Sequence, residues 1–381
     1  MQRTVLYGVT AGTSVQTLLR GQLAWLGAHG WQVHVACAPG DALDAAADRE
    51  GFTPHPVRMS RSMDPLADLA ALVAWLRLLR RLRPEVTNVS TPKAALLGSV
   101  AAWVLRVPRR VYVVRGLRLE GASGPARTLL WLAERLTIAL STDVLVVSRS
   151  LGHALHTHRL LGRRPARLIG DGSSNGVDAA AVARRTAAGD RSALRERLGL
   201  AEDAFVVGYV GRLVADKGID TLLAGVAAAR TRPALLLVGS LDEPAIAATL
   251  ETSVVPVAHV PWTDDVWTYY AAMDVLCLPT LREGFPNVVL EAAAAGIPSI
   301  ATDATGAVDA VVDGVTGITV PVGDADGIAA AIDRLTADPD ECVRMGEAAR
   351  RRAVRDFPPE RIWAGVSATW LGAADRDIRP I

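Results

Sequence analysis

A chain of 381 residues exceeds what one ordinary hydrophobic core serves, so two domains are the expectation. Half of the residues are hydrophobic, and a net charge of +1 leaves no general basic excess to displace counterions, which argues against nucleic acid as the main partner. Three scattered cysteines, Cys37, Cys277 and Cys342, lack metal-ligand spacing and fit a reducing cytosol.

At the amino end a single arginine precedes a short apolar run that stops at Thr10-Ala-Gly12, too short for a secretory signal. The greasiest stretch, Ala94 to Val107, is interrupted by Arg106 and is too short to span a bilayer. The expectation is a cytoplasmic protein. In chain order, Thr4–Val9, Gln32–Ala36, Val86–Val89, Arg110–Val114, Val144–Val147 and Arg167–Ile169 read as strands, with helices such as Gln16–His29 and Pro65–Leu82 between them. A second series follows at Phe205–Val210, Ala234–Val238, Val254–Val260, Val275–Leu278, Ser299–Ala301 and Ile318–Val320. Alternating strands and helices make parallel sheets, so the fold class is α/β with two Rossmann-like doubly wound domains, each binding ligands at the carboxyl ends of its strands.

The boundary falls near Asn175-Gly-Val-Asp178, ahead of a polar, arginine-rich stretch to about Arg197. Residues 1–175 form the first domain and 176–358 the second. The amphipathic segment Pro359–Ala373, with Trp363 and Trp370, is expected to cross back with the rest of 359–381 onto the first domain.

The densest chemistry lies in Glu283-Gly-Phe-Pro-Asn-Val-Val-Leu-Glu291. Pro286 suits a helix start, and the amides of Asn287, Val288 and Val289 then form an anion site. Arg212 and Lys217 stand in Val210-Gly-Arg-Leu-Val-Ala-Asp-Lys-Gly218, directly after a strand, where two cations can hold a diphosphate. Each feature also has a plain reading: solvated loop cations, and acids that favour a helix dipole. The loop is no Walker A motif, and Gly170-Asp-Gly-Ser-Ser-Asn-Gly176 misses the dinucleotide spacing. Asp324 reads as a helix cap, Asp338-Pro-Asp340 as a helix break and Asp375-Arg-Asp377 as a polar tail. His153, His156 and His158 read as a surface cluster, and no metal site is expected.

In the first half, Gly12 follows a strand and can admit a substrate close to the backbone. Lys93, Arg115 and Arg118 also follow strands, and either bind an acceptor that carries phosphate or are simply solvated. Leu66–Pro84 reads as an amphipathic helix with Leu69, Leu72, Leu76 and Leu79 on its apolar side and Arg77, Arg80, Arg81 and Arg83 near its end. Such a helix either lies on an anionic membrane surface or packs into the core, with its arginines complementing the dipole.

These residues resemble the retaining glycosyltransferases of family four, which have the GT-B fold of two Rossmann-like domains facing a central cleft. The resemblance runs from the Gly12 loop through Thr91-Pro-Lys-Ala-Ala-Leu-Leu-Gly98, Ser174-Asn-Gly-Val-Asp178 and Ala304-Thr-Gly-Ala-Val-Asp309, and is strongest in Val210–Gly218 and in the Glu-x7-Glu of Glu283 and Glu291. The Thr-Pro-Lys and Ala-Thr-Gly-Ala-Val-Asp stretches look like the subgroup that builds lipid-linked surface glycans. The resemblance implies that Arg212 and Lys217 hold a donor diphosphate, Glu283 binds hydroxyls of the donor sugar and Glu291 binds the ribose. It places the base near the Val260 backbone, the distal phosphate at the amides of Asn287 and Val288, and Gly12 over the phosphates. Where many relatives carry His-Gly, this chain has Arg115-Gly116, which points Arg115 toward phosphate.

The implied reaction moves a sugar from a nucleoside diphosphate, UDP foremost, with retention and with no cofactor or metal; Arg212, Lys217 and Glu283 are the catalytic residues. A polyprenyl-phosphate-linked acceptor fits Lys93, Arg115, Arg118 and the basic helix end, and implies peripheral attachment at the inner membrane face. A soluble small-molecule acceptor fits the near-neutral charge. A sugar-nucleotide 2-epimerase and a non-catalytic binder share this fold, but an epimerase needs acid/base groups of which the sequence offers no convincing set.

Overall fold

The computed structural model describes residues 3–60, 64–162, 164–253, 255–373 and 375–381. The chain divides into two compact units, Met1–Asn175 with Pro359–Ile381, and Gly176–Pro358. The first unit holds β1 (Arg3–Gly8), β2 (Trp31–Cys37), β3 (Thr53–Pro56), β4 (Val86–Val89), β5 (Arg109–Val114), β6 (Asp143–Val146) and β7 (Ala166–Ile169). The second holds β8 (Val206–Val210), β9 (Ala234–Val238), β10 (Val257–Val260), β11 (Val275–Leu278), β12 (Ser299–Thr302) and β13 (Gly317–Val320), and β14 (Ile378–Pro380) returns to the first.

The first sheet has the order β14-β7-β6-β5-β4-β1-β2-β3. Its strands are parallel except β14, which runs antiparallel to β7. Beginning at β1, the chain builds outward through β2 and β3, then returns to lay β4 on the other side. The topological switch therefore lies between β1 and β4. The second sheet, β10-β9-β8-β11-β12-β13, is parallel throughout and switches between β8 and β11. The central strands of the second sheet are apolar runs, such as Leu235, Leu236 and Leu237, each fully buried, as strands covered on two faces require, whereas β4 of the first buries Thr87 and Asn88 as well.

Three local readings are corrected. Gln16–His29 is two helices, Gly12–Leu18 and Gln22–Ala28, broken at Gly21, whose φ of +78° and contact with the Trp363 ring admit no side chain. The Glu50 carboxylate accepts from the Gly21 N–H at 2.9 Å and so anchors the second helix start. Asp375-Arg-Asp377 is not merely a polar tail: Asp377 pairs with Arg361 at 2.7 Å, accepts from the Gly170 N–H, and leads into β14. In the helix Pro65–Leu82 the buried residues are Ala71, Trp75, Leu78 and Leu79, whereas Leu69 of the expected apolar side is exposed.

The arginine-rich stretch after Asn175 is helical, as Ala179–Ala187 and Arg191–Arg197, capped by Asp178 and Asp190. Asp324 and Asp338 cap the helices Ala325–Ala337 and Pro339–Asp356. Pro359–Leu371 packs on the first unit: Trp370 meets Tyr7 and Trp31 edge-on, with centroids 5.7 and 4.8 Å away. The Trp363 indole donates to Asn175 Oδ1 at 2.7 Å, and Asn175 Nδ2 donates to the Arg20 carbonyl.

The helix Gly124–Leu140 is anchored by polar contacts. Tyr112 donates to Glu134 Oε1 at 2.6 Å and the Trp131 indole donates to the His158 carbonyl. Burial pushes the Glu134 carboxyl up to about 7, although the Tyr112 hydrogen bond opposes the shift. Because its folded pKa exceeds the unfolded value, Glu134 contributes stability at low pH that is lost as pH rises through about 7. Thermal unfolding of the parent should therefore show the first unit weakening between about pH 5 and 8, and Glu134→Gln should flatten that dependence. An unchanged pH profile in the variant would remove this carboxyl as the cause.

Candidate functional site

In the second unit the loops after β8 and β11 leave adjacent parallel strands at the switch, where open sheets bind ligands. The loop after β8 runs through the turn Ala215–Lys217 to the helix Ile219–Ala228, and the loop after β11 leads to the helix Asn287–Ala294. Several contacts join them. The Leu281 N–H donates to the Asp216 carbonyl, Arg282 Nη2 donates to Asp216 Oδ2 at 2.6 Å, and Lys217 Nζ donates to Glu283 Oε1 at 2.5 Å. Gly218, at φ +71°, lies so close to the Pro279 carbonyl that any Cβ would collide with it. From behind, Thr280 donates to the Arg282 carbonyl, Thr302 donates to the Thr280 carbonyl, and the Glu283 N–H donates to the Thr305 carbonyl.

Lys217 and Glu283 are thus held face to face with about a fifth of each side chain exposed. Arg212 belongs to the same loop but points to solvent, 3.8 Å from Asp242, while its carbonyl accepts from Tyr209. Pro286 is the cap of the following helix rather than its first residue, and the Val289 N–H, expected to be open, donates to the Pro286 carbonyl. That leaves the Asn287 and Val288 amides in the helix's first turn. Asn287 Oδ1 and Arg282 Nε are buried with no hydrogen-bond partner among the described residues, a costly state that a ligand's polar groups can relieve.

Glu291 lies one turn further, where the buried Tyr270 phenol donates to its Oε2 at 3.1 Å and to the Val288 carbonyl at 3.2 Å. Burial first, and the neighbouring Glu291 charge second, push the Tyr270 pKa well up, so it stays a donor. Val260 ends β10, two strands from the switch, and its carbonyl accepts from the Gly239 N–H.

The first unit has its own switch, between β1 and β4. The Thr10 N–H donates to Thr91 Oγ1 at 2.9 Å, the two hydroxyls are also 2.9 Å apart, and Thr91 has the strained φ of +69°. Gly12 opens its helix, and a Cβ there would come 2.8 Å from the Leu43 nitrogen, so the missing side chain serves packing within the unit. Lys93 pairs with Asp68 at 2.7 Å. Arg115, after β5, donates from Nη1 to the Ser174 carbonyl at 2.7 Å, and its Nε is buried with no hydrogen-bond partner among the described residues. Burial lowers its pKa to about 10 against the opposing influence of Tyr7. Arg118 is exposed on the turn Arg118–Gly121. The three cations therefore occupy three environments: paired, half-buried and solvated.

Sequence reasoning missed Tyr270, the Asp216–Arg282 pair and the Thr10–Thr91 pair. The threonines carried a usable signal, since each follows the end of a strand beside a topological switch. Tyr270 carried none, because its contact with Glu291 is made through the fold. Among the described residues no group of three or more His, Cys, Asp or Glu is placed to hold a metal ion.

The family of glycosyl transferases group 1 matches residues 190–352, and glycosyltransferase family 4 matches residues 12–180. The capsular polysaccharide biosynthesis glycosyltransferase CapM of Staphylococcus aureus is 35% identical over 370 residues, 94% of each chain. Among solved structures, Anabaena HepE in complex with UDP and glucose superposes with a TM-score of 0.79 at 20% identity, covering 97% of this chain and 100% of that one. Sucrose-phosphate synthase from Thermosynechococcus elongatus gives a TM-score of 0.79 at 22% identity over 98% and 99% of the two chains.

Gly218→Val should destabilise the second unit by about 1–3 kcal/mol, because it places a β-branched residue at positive φ against a carbonyl. Equilibrium urea unfolding measures the loss. A variant as stable as the parent would show that the turn does not rest on Pro279.

Proposed function

The chain belongs to the family 4 glycosyltransferases, and from that premise we propose that it transfers a sugar from UDP, with retention of configuration, to a hydroxyl of a lipid-linked glycan acceptor. The observation that carries this reading is the Lys217–Glu283 contact at the β8/β11 switch, ahead of the first turn of Asn287–Ala294. Charge develops on the departing diphosphate, so a fixed ammonium and fixed amide dipoles stabilise the transition state more than the ground state.

In this reading Lys217, Arg212 and the amides of Asn287 and Val288 hold the diphosphate. Arg212 is exposed and weakly paired, so it closes on the ligand at little cost in broken contacts. Glu283 sets the Lys217 ammonium and takes a hydroxyl of the sugar. The buried Asn287 Oδ1 gains a donor that it lacks among the described residues. Glu291, fixed by Tyr270, accepts from the ribose hydroxyls, and the backbone at Val260 meets the base. A departing phosphate oxygen takes the proton of the incoming hydroxyl on the same face of the sugar, so the protein supplies electrostatics rather than a general base.

UDP as carrier is supported by the HepE complexes, and a glycan acceptor by the naming of CapM. In the first unit, Arg115 is the best-placed ligand for an acceptor phosphate, because its buried Nε has no hydrogen-bond partner among the described residues. Lys93 is committed to Asp68, and acceptor phosphate competes with that carboxylate for it. Arg118 supplies a solvated charge, and Gly12 lines the loop after β1. We assign the charge stabilisation to these cations and amides without a divalent metal; an unchanged rate in excess EDTA is the expected outcome.

Lys217→Ala should lower turnover by about 10²–10³. Glu283→Ala should also lower it, with donor affinity measured by thermal shift across a panel of nucleotide sugars. NMR of the product's anomeric proton checks retention. Parental transfer rates in both variants would overturn the site assignment. Isomerised donor formed without acceptor would replace transfer by epimerisation.

A further inference from the structure

The helix Gly124–Leu140 has its polarity inverted. Its only carboxylate, Glu134, turns inward to Tyr112, and Thr137 and Ile138 are buried. The opposite stripe is Pro125, Leu129, Leu132, Leu136 and Ala139, all exposed, with the three leucines 49%, 53% and 46% accessible. Spacings of four, three, four and three residues place these side chains on one face. A surface helix normally presents the reverse pattern, and contiguous exposed apolar surface marks an interaction site.

What covers the stripe follows from charge and topology. The remaining charged residues of the helix, Arg127 and Arg135, are cationic, and exposed Arg118 lies on the turn that packs against it. A second copy laid antiparallel on this stripe would set arginine against arginine with no exposed carboxylate on the helix to offset them. An anionic surface meets the same charges favourably. The helices Pro65–Leu82 and Gly124–Leu140 flank Pro92–Val104 and, as crossovers of a parallel sheet, begin at its carboxyl edge. Leu66 and Leu69, 81% and 58% exposed, therefore emerge at the edge that also carries Leu129, Arg118 and the Lys93–Asp68 pair.

We propose that this leucine stripe docks the first unit onto an anionic lipid surface, with leucines in the acyl boundary and Arg118, Arg127 and Arg135 among the headgroups. Among the described residues no helix is long and apolar enough to cross a membrane, so the attachment is interfacial. The basic end of Pro65–Leu82, which the sequence offered for this role, is turned to the edge strand of the sheet, where Arg81 Nη2 lies 3.4 Å from His55 Nδ1.

The test uses the full chain with vesicles of phosphatidylcholine alone and vesicles containing about one third phosphatidylglycerol. The parent should co-sediment with the anionic vesicles at low salt and release as salt rises. Leu132→Gln with Leu136→Gln should weaken that partition by about tenfold or more, and Arg127→Gln with Arg135→Gln should reduce its salt dependence. Sugar transfer to a water-soluble acceptor should be unchanged in both, which separates this proposal from the catalytic one. A parent that ignores anionic vesicles, or a leucine variant that binds like the parent, overturns it. So does a parent dimer in light scattering that the leucine variant dissolves, since a second copy would then cover the stripe.

Discussion

Lys217 meets Glu283 because two loops that leave neighbouring strands are fastened to each other at the level of the backbone. The fastening is made by Asp216 with Arg282, by the Leu281 amide on the Asp216 carbonyl, and by Gly218 seated on Pro279. Without it, a lysine and a glutamate 66 residues apart would be two flexible solvated chains, and an exposed pair of that kind contributes little. With it, both groups are ordered before any ligand arrives, so the entropy of ordering them is not charged to binding.

The first unit applies the same constraint differently. Its switch is closed by threonine hydroxyls rather than ion pairs, and the strain at Thr91 is held by the bonds to Thr10 and by the helix that starts at Pro92. Charge enters from the next strand, as the half-buried Arg115. One switch thus fixes an ammonium close to a carboxylate. The other keeps hydroxyls at its centre and a half-buried guanidinium at its flank.

Much of the fold was legible because parallel strands buried on both faces are written as unbroken apolar runs, as in Ala234–Val238, and because aspartates such as Asp324 and Asp338 mark helix starts. β3 escaped notice because Pro54 and Pro56 argue against a strand, and only its edge position makes them tolerable. β14 escaped notice because three residues carry no period, and its pairing with β7 is a matter of tertiary structure. Around the second switch, the Glu-x7-Glu spacing drew attention to both acids, but their contacts were invisible: neither the Lys217 contact nor the Tyr270 phenol has a sequence signature. The leucine stripe was hidden for a related reason. Periodicity shows that a helix has an apolar face, and cannot show that the fold turns a glutamate inward and leaves that face outside.

The return of Pro359–Leu371 to the first unit has a bearing on how the chain is made. Trp370 fills the space between Tyr7 and Trp31, and Asn175 is gripped by Trp363. The first unit is thus assembled from two stretches separated by 183 residues of the second, Gly176–Pro358, which is continuous in sequence. On a ribosome the usual order of maturation is inverted: the later-translated domain can close first, while the earlier one waits, its tryptophan socket open, for helix and edge strand to emerge. During that wait the Tyr7 and Trp31 rings lack the cover that Trp370 gives them.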